Sequence, residues 1–356
     1  MNSSGSTMDR TRLPRIRLAA GRDFALGRIA GARSTLLGPG GLRDLVGRAS
    51  AAERLGALRP TAWAAAADAR SPEEAESALD SRARRSVAAV LRDLPAGARS
   101  LVLAYLLPED ARALRGALRA VAGALPPERA ASLLEPSPSL GLERLREIAS
   151  CRDATAVDAR LATWDSPFTG SAVAAGPDLR KPGALAAVEV AVDAAATRTA
   201  LRSARGPGDD RRALRELCAA RADLSAAATL LALSGEVERD ALPVLGGDRL
   251  GPVEVARISS LPAAEVPAAL AHALRHLLGG AGDPVQALQH PALADHLLGR
   301  AAVRHARQLA RRFPLSIAAP CAFAAEVLEE LRRIRLVLRA TAEGHPPAAL
   351  LDALEA

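Results

Sequence analysis

Residues 110–127 read DARALRGALRAVAGALPP, and residues 330–347 read ELRRIRLVLRATAEGHPP. At a shift of 220 positions the two segments share eight identical residues in eighteen, where this composition gives about two by chance. The identities include three arginines in each copy: Arg112, Arg115 and Arg119 in the first, and Arg332, Arg335 and Arg339 in the second. Arginines at i, i+3 and i+7 lie along one line of an α-helix. The pattern therefore predicts two related helices and a repeated architecture.

A second element recurs between these helices. The segments GLRDLVGRAS at 41–50 and GLERLREIAS at 141–150 match at a shift of 100 positions, and a weaker copy, GPVEVARISS, occupies 251–260. Each predicts a short helix, since its apolar residues lie three apart. The segment 223–242 is a degenerate middle copy of the arginine helix, which keeps the acid and the apolar spacing but lacks the arginines.

The order of these elements predicts three similar helical units. Each unit contains a short helix, a helical hairpin and an arginine helix or its degenerate copy, and the units occupy 20–134, 135–248 and 249–356. Residues 1–19 lack the apolar core of a signal peptide and are predicted to be a disordered leader. Because β-branched runs are short and no alternating segment is bounded by hairpin turns, the predicted fold class is all-α.

The formal net charge of +7 comes almost entirely from arginine, since Lys181 is the only lysine. Arginine alternates with acidic residues along the chain, as in RRALREL at 211–217, which is typical of solvated helix faces. Binding of single-stranded nucleic acid would require aromatic residues interleaved with basic patches. The seven aromatic residues are scattered over the whole chain, so we expect no nucleic-acid partner.

Sequence signals for enzymatic chemistry are absent. The chain has no G-x-x-x-x-G-K-[ST] motif, and the helical pair His272 and His276 lacks both the glutamate of HExxH and an evident third ligand. The three cysteines are far apart, which is typical of core residues in a reduced protein. The longest uncharged stretch, 313–325, is shorter than the roughly 18–20 residues of a membrane span. We therefore expect no catalytic residue, metal or cofactor.

The six arginines of the two lines are the candidate partner interface. One interpretation is an exposed, solvated helix surface; the other is a rim that binds acidic side chains through directional guanidinium contacts. In the terminal helix, 324–340, Val327, Leu331, Ile334 and Leu338 form an apolar face that should dock onto the hairpin of its own unit. The arginines are expected opposite this face, so their reversal should weaken assembly and barely change folding.

Several segments carry a family resemblance. They are ALGRIAGARSTLLGPGGLRDLV at 25–46, T-x-W at 61–63, D-x-x-x-L-R-x-x-L-R at 110–119, and FPLSIAAPCAFAAEVLEELRRIRLVLRA at 313–340. In their order and spacing the chain resembles the C subunits of V-type and archaeal A-type rotary ATPases, the family that includes the eukaryotic d subunits, from about Phe24 to its end. It departs from the family pattern at Ala113 and Arg333, which replace an asparagine, and at Phe323, which replaces a tyrosine.

The resemblance implies a fold and a role. It implies a funnel of three helical domains, seated peripherally on the cytoplasmic face of the membrane. The partners it implies are central-shaft subunits of the D and F type and the membrane proteolipid ring, through which membrane association would be indirect. The chain would then be a non-catalytic central-stalk adaptor that couples shaft to ring for proton or sodium transport. The alternative is an arginine-rich helical-repeat scaffold that binds nucleic acid or another protein.

Overall fold

A computed structural model describes residues 12–131, 134–137, 139–233, 246–279 and 283–342, together with positions 347 and 351. No strand occurs among these residues, and the fold is all-α, as the sequence predicts. The helices are α1 (Arg12–Arg33), α2 (Gly38–Gly47), α3 (Ala51–Ala57), a 3-10 helix (Ala64–Ala66), α4 (Pro72–Asp93), α5 (Ala96–Ala122), α6 (Pro127–Ala131), α7 (Leu142–Ala149), α8 (Ala154–Thr163), α9 (Ala184–Ser203), α10 (Asp209–Ala232), α11 (Pro252–Ser259), α12 (Val266–Ala273), α13 (Arg275–Leu278), α14 (Pro284–Gln289), α15 (Pro291–Arg312) and α16 (Ala318–Ala342). Residues 1–11 of the predicted leader, 1–19, lie outside the described part of the chain, and α1 begins at Arg12.

Local sequence fixes the start of α4. Ser71 Oγ accepts a hydrogen bond from the backbone N–H of Glu74 at 3.2 Å, and Glu74 Oε2 accepts one from the N–H of Arg70 at 2.8 Å. These bonds resemble a capping box, except that the glutamate reaches the residue before the N-cap, and Pro72 occupies a first-turn position where its missing N–H costs nothing. The start of the helix is therefore set by its own first residues before any tertiary contact forms.

Three hydrophobic clusters form the core, and long helices pass between them. The first cluster contains residues of α1–α4 and α16, the N-terminal parts of α5 and α10, and the C-terminal part of α15. The second contains the rest of α5 with α7, α8 and α9, and the third contains the rest of α10 with α11–α15. Because α5, α10 and α15 each belong to two clusters, packing joins the three sequence units; the boundaries of 20–134, 135–248 and 249–356 stay a prediction.

Helix α16 is buried on two faces. Val327, Leu331 and Ile334 are at most 4% exposed, which confirms the predicted apolar face. The helix packs against α15 of its own unit, and also against α4 at the other end of the sequence. Glu329 on the opposite face and Glu330 beside the apolar face are also buried, at 5% and 7% exposed. The interpretation of a solvated surface is wrong for both glutamates, because Glu329 packs against α15 near His296 and Glu330 binds the loop before α2.

Buried carboxylates on the long helices hold the loops that precede the short helices. Asp110 of α5 accepts hydrogen bonds from Ser137 Oγ at 2.5 Å and from Ser139 Oγ, in the loop before α7. Asp223 of α10 accepts bonds from the loop before α11, whose donors are the backbone N–H groups of Gly247 at 2.7 Å, Arg249 at 3.1 Å and Leu250 at 2.8 Å. The last long helix of one sequence unit therefore binds the loop that leads into the first short helix of the next.

Glu330 of α16 repeats this arrangement, and the loop that it binds lies near the start of the chain, between α1 and α2. Its carboxylate accepts hydrogen bonds from the backbone N–H groups of Leu37 at 2.7 Å and Gly38 at 3.2 Å, and from Trp63 Nε1 at 2.5 Å. Gly38 has a φ of +65°, a conformation that suits glycine, and it is the first residue of α2. The third unit thus binds the first as each earlier unit binds the one that follows it.

Candidate partner interface

The arginines of α5 are ion-paired with α9. Arg115 Nη1 lies 2.7 Å from Asp193 Oδ2, and Arg119 makes a two-point contact with Glu189 at 2.6 and 3.0 Å. Arg112 reaches Glu109 of its own helix at 3.1 Å.

The arginines of α16 are paired in the same order with α4. Arg335 Nη2 lies 2.6 Å from Asp80 Oδ1, and Arg339 makes a two-point contact with Glu76 at 2.6 and 2.8 Å. Arg332 Nη2 lies 2.9 Å from Glu109 Oε1, so it reaches the same carboxylate as its counterpart on α5. The two arginine lines therefore have matching environments.

Each line thus faces an acidic pair on a neighbouring helix. The pairs, Glu76 with Asp80 and Glu189 with Asp193, are spaced i and i+4 and lie 113 positions apart. This E-x-x-x-D repeat was a signal in the sequence that the interpretation of the arginines alone missed. An arginine line opposite such a pair is balanced within the molecule.

Exposure differs along each line. The expectation of a solvated face is wrong for Arg335, whose side chain is 8% exposed because it lies between Asp80 and Glu135. The outer arginines, Arg119 and Arg339, are 56% and 53% exposed and remain accessible to another molecule. The assignment of the six arginines to a partner interface stays a prediction.

Glu109 lies at the meeting point of three long helices. It is 3% exposed and contacts Arg112 of its own helix α5, Arg221 of α10 and Arg332 of α16. Burial acts to raise the pKa of Glu109, but Arg332, Arg112 and Arg221 outweigh it and hold that pKa well below the usual range of a glutamate. The carboxylate is therefore ionised, and three guanidiniums surround it.

Helix α10 lacks the arginine line, as its sequence predicts. When Asp223 is aligned with Asp110, the three arginine positions hold Ser225, Ala228 and Ala232. The rest of the predicted middle copy, from position 234, lies outside the described residues. Helix α10 instead contributes Arg221, which also donates a hydrogen bond to the backbone carbonyl of Tyr105 at 3.4 Å.

A third arginine line, on α15, borders an open groove of about 1070 Å³ between α15–α16 and α1–α2. We call it the arginine groove. Its arginines are Arg300, Arg304, Arg307 and Arg311 on α15, Arg33 on α1, Arg43 on α2 and Arg333 on α16. The α15 positions recur at i, i+4, i+7 and i+11, the spacing of one helix face. This line is visible in the sequence, but the candidate interface predicted from the sequence does not include it.

The three glutamates of the arginine groove are already bound within the protein. Glu326 accepts from Arg33 Nε and Arg307 Nε, each at 2.7 Å. Glu329 pairs with Arg332 and Arg333 of its own helix, and Glu330 holds the loop before α2. Seven arginines against three glutamates leave a formal excess of four positive charges in the groove.

The histidines and cysteines that could act in metal binding or catalysis do not form a site in the described part of the chain. Within the described ranges, no group of three or more His, Cys, Asp or Glu side chains could hold a metal ion. His272 and His276 lie on different helices, because α12 ends at Ala273 and α13 begins at Arg275. All three cysteines are free thiols, and burial raises the pKa of Cys218 to about 12, so that thiol stays protonated.

Comparison with known proteins assigns the chain to a family. None of the helices in the described part of the chain is long and apolar enough to span a membrane. No curated protein matches the sequence. A family model described as ATP synthase (C/AC39) subunit matches residues 25–352, which is nearly the whole chain. The chain therefore belongs to the ATP synthase (C/AC39) subunit family, a family of V/A-type ATPase subunits.

Proposed function

We propose that the chain is a non-catalytic central-stalk adaptor of a V/A-type rotary ATPase, which joins the rotating shaft to the membrane proteolipid ring for ion transport. The observation that carries the proposal is the family match over residues 25–352. The partners are central-shaft subunits and the proteolipid ring, and the adaptor lies at the cytoplasmic face of the membrane.

The joints between the sequence units suit a part that transmits torque. Such a part must resist relative movement of its units, and a buried hydrogen-bonded carboxylate resists it because separating the partners leaves desolvated polar groups unpaired. Asp110, Asp223 and Glu330 form a joint of this kind after the first, second and third unit. Glu109 ties α5, α10 and α16 together in addition.

The six arginines of the candidate interface divide into two roles in this proposal. Arg112, Arg115, Arg332 and Arg335 are at most 35% exposed and stabilise the helix arrangement through ion pairs. Arg119 and Arg339 are more than half exposed, and they are the members that would contact acidic side chains of the shaft or ring.

Isolation of the complex from its own cells tests this function. A tagged full-length chain should co-purify with rotary ATPase shaft subunits and proteolipid, and the purified chain alone should not hydrolyse ATP. Depletion of the chain should leave ATP hydrolysis by the catalytic head while ion pumping into membrane vesicles is lost. Pumping that persists without the chain, or co-purification with nucleic acid instead of ATPase subunits, would contradict the proposal.

A further inference from the structure

We infer that the arginine groove binds an acidic α-helical segment of a partner protein. The inference deepens the proposed function by naming the chemistry of one contact, and it rests on that function only in taking the partner to be a subunit of the same ATPase. It concerns a different surface from the arginine lines of α5 and α16. Those lines face acidic residues of this chain, whereas the groove has an excess of positive charge.

The length of the α15 line favours an extended ligand. Arg300 and Arg311 lie eleven positions apart, or roughly 16 Å at about 1.5 Å of rise per residue. A single phosphate would engage one or two of these guanidiniums. A helix with acidic residues at i, i+4, i+7 and i+11 repeats the same spacing and can place carboxylates along the line, although Arg304 also donates to the backbone carbonyl of Leu277.

The guanidiniums keep donors for such a ligand. Arg33 and Arg307 contact Glu326 from opposite walls, and each does so through Nε. An arginine has five N–H donors, so the terminal nitrogens of both side chains are able to bind a carboxylate. Arg307 is 57% exposed and Arg311 is also exposed, which leaves this end of the line open to solvent.

The lining of the groove suits a protein segment. Between the arginines lie apolar residues, among them Pro39, Leu42, Val303 and Ala310. An amphipathic helix could place small apolar residues against these and acidic residues against the arginines. The volume of about 1070 Å³ also lies slightly above the range for small-molecule sites, about 300–1,000 Å³.

A labelled peptide tests the inference on the full-length chain. The probe is a fluorescein-labelled, Ala-rich helical peptide with glutamates at i, i+4, i+7 and i+11. A second peptide of the same composition has its glutamates spread round the helix. We expect fluorescence anisotropy to show saturable binding of the first peptide, at least about fivefold tighter than the second, because only one face of the helix meets the α15 line.

Charge reversal tests whether the peptide binds in the arginine groove. Arg300→Glu combined with Arg311→Glu should weaken binding of the first peptide by about tenfold or more, with attraction replaced by repulsion at both ends of the line. Arg152→Glu combined with Arg180→Glu makes the same change of net charge at exposed positions outside the groove. This control should bind like the wild type. Circular dichroism and melting of each variant verify that both remain folded.

Three outcomes would overturn the inference. They are equal binding of the two peptides, equal weakening in the two charge-reversal variants, and tighter binding of duplex DNA or of phosphatidylglycerol vesicles than of the peptide, with the same dependence on Arg300 and Arg311. Failure of the proposed function is recognised separately, since the wild-type chain would then not co-purify with ATPase subunits whether or not the peptide binds. Peptide binding lost through Arg300 and Arg311, together with co-purification of the wild type, supports both.

Discussion

The arginine lines of α5 and α16 and the arginine line of α15 look alike in the sequence and differ in what faces them. On α5 and α16 the arginines meet Glu189 and Asp193, or Glu76 and Asp80, across a helix interface. On α15 they border an open groove whose three glutamates are already bound. The same helical periodicity therefore stabilises the fold in one region and leaves excess charge at the surface in the other.

The difference shows that an arginine line should be interpreted together with the acidic residues of the rest of the chain. Arginine is favoured in both settings because its planar group binds carboxylates at two points. What distinguishes them is a second periodic pattern, the E-x-x-x-D repeat at 76–80 and 189–193. Helix α10 supports this interpretation. It lacks the arginines, and it packs mainly against α15, whose sequence contains no E-x-x-x-D pair.

The largest effect should follow removal of the central carboxylate. Glu109→Gln leaves Arg112, Arg221 and Arg332 without their shared anion, and we expect a loss of about 3–5 kcal/mol in the free energy of unfolding. Urea denaturation of the full-length chain measures it. Glu128→Gln, at an exposed position of α6, is the matched control and should change stability by less than about 0.5 kcal/mol. A loss below about 1 kcal/mol in Glu109→Gln would contradict the central role of this group.

The same variant should show a defined pH dependence. The pKa of Glu109 is depressed in the folded protein, so its stabilisation is present above the unfolded pKa of about 4.3 and is lost as the pH falls through the folded pKa. The stability difference between wild type and Glu109→Gln should therefore shrink between about pH 5 and pH 2.5. Burial raises the pKa of Asp80, Asp110 and Asp193, but these groups are present in both proteins and cancel in the difference. A difference independent of pH would contradict an ionised Glu109.

The sequence predicts the secondary structure better than it predicts the ion pairs, for a physical reason. Helix starts depend on neighbouring residues, as the hydrogen bonds of Ser71 and Glu74 at the start of α4 show. The repeat also places Asp110 and Glu330 at matching positions. The contacts of Glu109 with Arg221 and Arg332 join residues 112 and 223 positions apart. No local pattern contains that information, and this is why the sequence does not predict the ion pairs of Glu109.

An intermediate effect should separate the inner and outer members of one line. Arg335→Ala leaves the buried Asp80 carboxylate without its nearest cation, so we expect a loss of about 2–3 kcal/mol. Arg339→Ala, one helical turn along, breaks a pair that is 53% exposed on the arginine side, and its cost should stay below about 1 kcal/mol. Thermal and urea unfolding of the two variants give the comparison. Equal losses would mean that burial does not decide the roles of the two arginines.

The smallest effect on folding should come from the arginine groove. Arg300→Glu combined with Arg311→Glu places carboxylates in a region that keeps five other groove arginines, so new attraction should offset the contacts that are lost. We expect the free energy of unfolding to change by less than about 1 kcal/mol. The triple reversal of Arg112, Arg115 and Arg119 to Glu should instead be strongly destabilising, since it sets new carboxylates against Glu109, Asp193 and Glu189. Urea denaturation of both variants sharpens the comparison between the two kinds of line. If the groove variant unfolds as readily as the triple variant, the α15 arginines also hold the fold together, and the distinction between the two regions is wrong.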